Sequence, residues 1–190
     1  MNFPRAASPH ARSGRTSFWL AWVLALVAAV FIAPWFSAPP APPPGQLPPT
    51  PANIWHLLLA AAPSYGIDPR FAYALAMAES SLDPYAFNHG ARGLLQLRPA
   101  AWETVSDEPF HEAWNWEKNT RASLAYLAWC QNFLTQHHAL SPPLLAACYH
   151  FGPDAVSAAN FDLQNLPHAP NDIYRQLFAG DRAPVPAPTG

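Results

Sequence analysis

The chain has 190 residues, of which 24 are proline, and 12% of its residues are charged while 51% are hydrophobic. This hydrophobic share excludes a disordered, highly charged chain. The formal net charge of −2 argues against nucleic acid as a partner, because nucleic-acid-binding proteins carry a basic face. The length allows one domain of ordinary size.

The N-terminal region predicts a membrane anchor. Residues 1–16 carry three arginines, and the first twenty positions of residues 17–37 carry no charge. A helix of that length crosses a hydrocarbon core of roughly 30 Å, and the arginines before it predict a cytoplasmic N-terminus with the rest of the chain across the membrane. A cleaved signal peptide is the alternative, although Trp35 and Phe36 interrupt the small residues that a cleavage site needs.

Proline dominates the next segment, residues 38–51, with eight prolines in fourteen residues. Such a run excludes a helix or a central strand and favours extended polyproline II. At about 3.1 Å per residue it reaches roughly 40 Å. We interpret it as a stiff spacer in front of a compact domain, residues 52–180; a ligand for a proline-binding domain is the alternative. Residues 181–190 predict a flexible proline-rich tail.

Capping residues and prolines predict a mainly α-helical domain between spacer and tail. The first predicted helix follows a cap at Asn53. The Asp68-Pro69 and Ser141-Pro142 pairs predict the starts of two more helices, which run from Arg70 to Ser81 and from Pro142 to Phe151. Two others are predicted from Asn119 to His137 and from Asp172 to Ala179. The stretch from Ala86 to Leu97 lacks helical periodicity, and we expect a short hairpin or loop there.

Glu79 is the first candidate for chemistry. It continues the apolar stripe of Phe71 and Leu75 at positions i, i+4 and i+8, and it lies in the last turn of its predicted helix. Desolvation and the negative end of the helix dipole both favour the protonated acid. A glutamic acid kept protonated is what a glycosidase needs to protonate a leaving oxygen; a solvated surface glutamate is the alternative from this pattern alone.

The residues after Glu79 resemble the signature of lysozyme-like lytic transglycosylases, the soluble lytic transglycosylase family. That signature is a glutamate-serine pair, an Asn/Asp-Pro pair and Gly-Ala-x-Gly-Leu-Met-Gln, followed by an Asn with a later Tyr-Leu pair, an Ala-Tyr-Asn-Ala-Gly-Pro block and a closing tyrosine. The matching residues here are Glu79-Ser80, Asp83-Pro84, Gly90 to Gln96, Asn119, Tyr126-Leu127, Cys148 to Pro153 and Tyr174. These blocks occur in the family's order from about Ile54 to Phe178.

The resemblance implies a lysozyme-like α-helical domain with a short hairpin or loop at its cleft. It also implies cleavage of the β-1,4 bond from N-acetylmuramic acid to N-acetylglucosamine in peptidoglycan glycan strands, without water and without cofactor or metal. Glu79 would protonate the glycosidic oxygen and then act as base while the muramic C6 hydroxyl attacks C1, giving a 1,6-anhydro end. Asp83, the nearest other carboxylate, precedes Pro84 and is interpreted as a turn residue.

The same resemblance suggests which residues bind substrate. Gln96 and Tyr149 match positions beside the acid, and the tyrosine hydroxyl is expected to orient the glutamate or donate to the substrate's acetamido group. Ser80, Asn88 and Gly93 complete the expected set. Gly90 and Gly93 permit the tight backbone of a loop that forms one wall of the cleft.

The chain departs from the family pattern in several places that affect subsite details. Asn88 stands where the family usually has serine, Arg98 where it has methionine, and His150 where it has asparagine. Pro170-Asn171 replaces a late Glu-Thr pair.

Two further features leave alternatives open. Cys130 and Cys148 lie on neighbouring predicted helices and form either a disulfide or two buried thiols. Trp102, Trp114, Trp116 and Trp129 are either sugar-stacking residues or core residues.

Together these observations predict an inner-membrane-anchored lytic transglycosylase with its domain in the periplasm of a Gram-negative bacterium. A small anchored enzyme would also suit a dedicated role beside a secretion, conjugation or pilus machine. A hydrolytic muramidase and a non-catalytic glycan-binding or scaffold module are the alternatives.

Overall fold

The structure, a computed structural model, describes residues 46–188. Within these residues the fold is mainly α-helical, as predicted, with one two-stranded hairpin. The α-helices are α1 (Pro51–Ala61), α2 (Pro69–Ser80), α3 (Pro99–Val105), α4 (Trp116–Gln136), α5 (Pro142–Phe151), α6 (Pro153–Ala158) and α7 (Asp172–Phe178). The antiparallel strands are β1 (Phe87–Asn88) and β2 (Ala91–Arg92), and short 3-10 helices cover Ala62–Tyr65, Phe110–Trp114 and Leu163–Asn165.

Side-chain caps explain where the helices begin. Asp68 accepts a hydrogen bond from the backbone N–H of Arg70 at 2.9 Å, which confirms the predicted start of α2. Ser141 caps α5 in the same way. The predicted cap at Asn53 is wrong: α1 begins earlier, and Thr50 Oγ1 accepts from the Asn53 N–H at 3.2 Å. Thr50 and the following proline are themselves a cap and first-position pair within the proline-rich run.

The end of the predicted spacer contacts the helical domain. Gln46 Nε2 donates to Asn115 Oδ1 at 2.9 Å, and Trp116 Nε1 donates to the carbonyl oxygen of Leu47 at 3.0 Å. Residues 46–50 therefore lie against the N-terminus of α4. At the other end, Val185 and Ala187 of the predicted tail are partly buried against the core.

The long helix α4 is central to the domain. It packs against α1, α3 and α5, and α5 in turn packs against α6 and α7. Leu124, Leu127 and Leu134 on α4 are fully buried, and truncation of such a side chain to alanine typically costs about 2–5 kcal/mol. This packed centre fixes the positions of α2, α5 and α7, which carry the residues described next.

The two cysteines face each other in this core as free, buried thiols on α4 and α5. A hydrogen bond with Cys148 and burial both raise the pKa of the Cys130 thiol. The structure thus contains the pair of buried thiols and not the disulfide.

Within residues 46–188, no helix has the length and apolar character needed to cross a bilayer. The predicted anchor, residues 17–37, lies outside the described residues.

Candidate active site

A cleft of about 580 Å³ lies between the C-terminal end of α2, the β1–β2 hairpin and the junction of α5 with α6. Its walls combine acidic, amide and aromatic side chains. The lining includes Glu79, Asn88, Gln96, Arg98, Tyr126, Tyr149, His150, Phe151 and Asp154. Four of the six predicted site residues, Glu79, Asn88, Gln96 and Tyr149, thus lie at the cleft.

Glu79 occupies the last turn of α2, and its side chain is only 13% exposed. Two groups contact the same carboxylate oxygen, Oε1: the hydroxyl of Tyr174 and Nδ1 of His150, the latter at 3.1 Å. The second oxygen, Oε2, has no protein partner among the described residues, so it is the oxygen left for a substrate. The carboxyl group is thereby oriented by contacts on one side.

Tyr174 reaches Glu79 from α7 and is fully buried. Burial first, and then the charge of Glu79, raise the pKa of the Tyr174 hydroxyl well above its usual value. The hydroxyl therefore stays protonated at neutral pH and donates to Oε1. Asn171 holds α7 in place, because it caps the helix at the Tyr174 N–H and donates to the carbonyl oxygen of Ala78 at 2.9 Å.

Tyr149 lies beside Glu79 at the cleft, but no hydrogen bond joins the two side chains among the described residues. The Tyr149 hydroxyl donates to the backbone oxygen of Leu95 at 2.7 Å. A contact with the substrate's acetamido group stays a prediction. Burial and then the charge of Glu79 raise the pKa of this hydroxyl well above its usual value. The Tyr149 hydroxyl therefore remains a neutral donor to the loop from Ala86 to Leu97, which contains the hairpin, while the ring of Tyr149 lines the cleft.

Gln96 is part of the loop from Ala86 to Leu97, and its side chain stabilises that loop. Its backbone has a positive φ of 50°, which is uncommon for a residue other than glycine, and its Nε2 donates to the carbonyl oxygens of Ala86 and Gly93 at 2.8 and 2.9 Å. The side chain thus ties both ends of the hairpin region together at the cleft wall.

Asn119 clamps the loop to α4 and is completely buried. Its Oδ1 accepts from the Leu95 N–H at 2.9 Å, and its Nδ2 donates to the carbonyl oxygens of Arg92 and Ala113 at 2.9 and 3.1 Å. A single amide therefore satisfies three backbone groups. The family block that includes Asn119 serves the construction of the cleft wall.

Ser80 and Gly93, the other two predicted substrate-binding residues, are not among the residues that line the cleft. Ser80 Oγ donates to the carbonyl oxygen of Leu94 at 2.6 Å. At Gly93, φ is +79° and an added Cβ would lie 2.4 Å from the carbonyl oxygen of Ala113 and 2.6 Å from Asn119 Nδ2. Both residues therefore support the cleft wall, and their contact with substrate stays a prediction.

Asn88 reaches the cleft at the tip of the predicted hairpin. Strand residue Asn88 pairs with Ala91, and the two residues between them, His89 and Gly90, have φ values of 47° and 87°. Positive φ at both central positions is the requirement of a tight two-residue hairpin turn. Gly90 supplies that conformation, as predicted.

Two further carboxylates near the cleft have distinct positions. Asp83 is exposed, and its Oδ1 accepts from the Tyr85 N–H at 2.8 Å, which agrees with the predicted turn role. Asp154, in the first turn of α6, lines the cleft. Sequence reasoning did not single out Asp154, which is exposed, because an acidic residue in a helix's first turn ordinarily interacts only with the helix dipole.

The tryptophans are mainly core residues. Trp102, Trp114 and Trp116 are each less than 9% exposed, and Trp129 stacks between Tyr126 and Phe133. In residues 46–188, His, Cys, Asp and Glu side chains form no group of three or more that is arranged to hold a metal ion.

The model of the family described as "Transglycosylase SLT domain" matches residues 56–166, which is more than half of the chain. The chain belongs to this family. The SLT match contains Glu79, Gln96, Asn119 and Tyr149, whereas Tyr174 lies beyond it.

Among solved structures, the chain is similar to an X-ray structure of an inactive mutant of the lytic transglycosylase Slt from Pseudomonas aeruginosa. The two share 19% sequence identity with a TM-score of 0.47, and the match covers 88% of this chain and 26% of that one. This chain therefore spans about a quarter of the length of that solved structure. No curated protein matches the chain.

The structure thus places two residues, His150 and Tyr174, at Glu79 that the predicted site did not include. The sequence did contain a signal for Tyr174, the closing tyrosine of the family pattern, and for His150, a departure from that pattern. What the sequence did not show is that both side chains meet at one oxygen, because α5 and α7 are distant from α2 along the chain.

Proposed function

We propose that this protein is a peptidoglycan lytic transglycosylase that cleaves the β-1,4 bond from N-acetylmuramic acid to N-acetylglucosamine and forms a 1,6-anhydro end. One observation carries the proposal. In a cleft of the SLT domain, Glu79 is largely buried, and its contacts converge on Oε1, which leaves Oε2 for the glycan. Family membership supplies the substrate class.

The first step is protonation of the glycosidic oxygen. With Oε1 accepting hydrogen bonds, the proton of the neutral carboxyl group resides on Oε2 and passes to the leaving oxygen as the bond to C1 breaks. Tyr174 then stabilises the resulting carboxylate through its hydrogen bond to Oε1. The substrate's own acetamido group supports the positive charge at C1, as in substrate-assisted glycosidases.

In the second step Glu79 is the base. The carboxylate removes the proton of the muramic C6 hydroxyl while that oxygen attacks C1, so the acid is regenerated and no water is consumed. The loop tied by Gln96 and Asn119 forms one wall of the cleft, and the rings of Tyr126 and Tyr149 offer apolar faces to sugar rings.

The test is product analysis of purified sacculi after incubation with Glu79→Gln, wild type and Asp154→Asn. Glutamine keeps the size of the side chain but cannot donate and recover a proton, so we expect a loss of activity of at least about a thousandfold, in line with removal of an essential catalytic group. Equal release of products by wild type and Glu79→Gln would contradict the role of Glu79 and favour a non-catalytic glycan-binding module.

Asp154 gives a specific reason to keep a hydrolytic muramidase as the second candidate. A two-carboxylate glycosidase needs a second acidic side chain in the cleft, and Asp154 lines it. Under the transglycosylase proposal, Asp154→Asn lowers activity by less than about tenfold, whereas a nucleophile or base removed from a hydrolase costs far more. Reducing ends among the products, with a large Asp154 effect, would favour the muramidase.

We also propose that residues 17–37 anchor the protein in the inner membrane with the SLT domain in the periplasm. The uncharged length of this segment and the arginines before it support the proposal. Reporter fusions after residue 37 and protease protection in spheroplasts test the orientation. We further propose a role beside an envelope-spanning machine, which the small size of an anchored enzyme would suit, and in vivo cross-linking at the membrane tests it.

A further inference from the structure

His150 stands where the family pattern has asparagine, and it contacts the proposed catalytic acid directly. It lies in the last turn of α5, its side chain is 26% exposed, and its Nδ1 is 3.1 Å from Glu79 Oε1. The imidazole packs against the rings of Tyr174 and Phe151 at centroid distances of 4.5 and 4.8 Å. The ring is therefore held with Nδ1 directed at the carboxyl group.

The geometry points to His150 as a positioning residue of the acid, and this inference rests on the function proposed above. Nδ1–H donates to Oε1 beside the Tyr174 hydroxyl, so that Oε1 is occupied and the transferable proton is confined to Oε2. After that proton has left, the same N–H stabilises the carboxylate that must act as base. His150 thus serves both half-reactions without touching the glycan bond.

Asparagine at this position can make the same hydrogen bond. Its Nδ2 is separated from the backbone by the same number of bonds as the Nδ1 of histidine, so it can donate to Oε1. The asparagine of the family pattern is therefore the conservative substitution that should restore the positioning contact.

The experiment compares His150→Asn and His150→Leu with the wild type, using the full-length protein on purified sacculi. Leucine removes the donor at similar volume, and we expect kcat to fall by about tenfold or more with little change in KM, as for loss of a hydrogen bond to a charged group. Asparagine restores the donor, so its kcat lies much closer to the wild-type value. His56 is an exposed histidine on α1, and His56→Asn is the control for a histidine-to-asparagine change away from the cleft.

The split between kcat and KM, together with rescue by asparagine, is the readout that a merely structural residue would not move. His56→Asn should keep the wild-type kcat, because this change lies away from the cleft. Full kcat in His150→Leu would overturn the inference, as would a kcat in His150→Asn as low as that in His150→Leu. If the leucine variant fails to fold, the NMR comparison described next decides.

An NMR comparison separates this inference from the proposed function, since it needs no catalysis. In Glu79→Gln the acceptor at this position changes from a carboxyl to an amide oxygen, so the ¹⁵N resonance of His150 Nδ1 should shift relative to the wild type. An identical resonance in both proteins would refute the pairing. An absence of 1,6-anhydro products with a shifted resonance would instead refute only the transglycosylase activity.

Discussion

Gly93→Ala is the substitution whose cost the structure allows us to work out most closely. A side chain at φ +79° lies in the left-handed region, which costs about 1–2 kcal/mol for a residue other than glycine. The added Cβ would also lie 2.4 Å from the Ala113 carbonyl oxygen and 2.6 Å from Asn119 Nδ2, so one of these groups must move.

Movement of Asn119 accounts for the larger part of the expected loss in the free energy of unfolding. Its amide makes hydrogen bonds to Leu95, Arg92 and Ala113 in a fully buried position. Breaking one of them and leaving a buried polar group unsatisfied costs about 1–3 kcal/mol. We therefore expect Gly93→Ala to lower the free energy of unfolding by about 2–5 kcal/mol.

Gly180→Ala is the matched control. Gly180 has a φ of +100° but nothing lies within 4 Å of an added Cβ, so it has the backbone cost without the collision. Urea unfolding of the full-length variants, followed by tryptophan fluorescence in a mild non-ionic detergent, measures both. Equal losses in the two variants would refute the reasoning about Asn119, since only the cost of positive φ would remain.

Three other substitutions test the surrounding network. Tyr174→Phe removes one donor from Glu79, and we expect kcat on sacculi to fall by about tenfold to a hundredfold with folding retained; unchanged kcat would show that the Oε1 contact has no part in catalysis. Asn119→Ala should destabilise the domain by about 2–4 kcal/mol in the same urea assay, because three backbone groups lose their partner; a loss below 1 kcal/mol would contradict the clamp. Gln96→Ala should lower activity more than stability, because its amide holds the cleft wall at Ala86 and Gly93; unchanged activity would contradict that role.

Local sequence signals predicted the elements of the fold well. Asp68-Pro69 and Ser141-Pro142 marked the starts of α2 and α5, since cap and proline act within one turn. The start of α1 was misplaced because Thr50, the residue that caps the helix, lies within the proline-rich run, which was interpreted as a spacer. The helix α3 was missed because seven residues are too few for a periodic pattern to stand out.

Sequence reasoning predicted the feature of the candidate site that lies on one segment of the chain. It missed the contacts that join side chains from different helices. The position of Glu79 on the buried stripe of α2 follows from helical spacing, and the structure has it largely buried. The partners of Tyr149 and Tyr174 could not be deduced, because each hydroxyl reaches across the core to another element. The matching family blocks named the tyrosines but did not say which of them contacts the acid.

The central claim is that Glu79 cleaves the glycan without water, and the most direct test is digestion of purified sacculi in ¹⁸O-labelled water. Mass spectrometry should show that the wild type releases 1,6-anhydromuramic ends without ¹⁸O and that Glu79→Gln releases no 1,6-anhydromuramic ends. Reducing muramic ends that carry one ¹⁸O atom would contradict the account and identify the protein as a hydrolase.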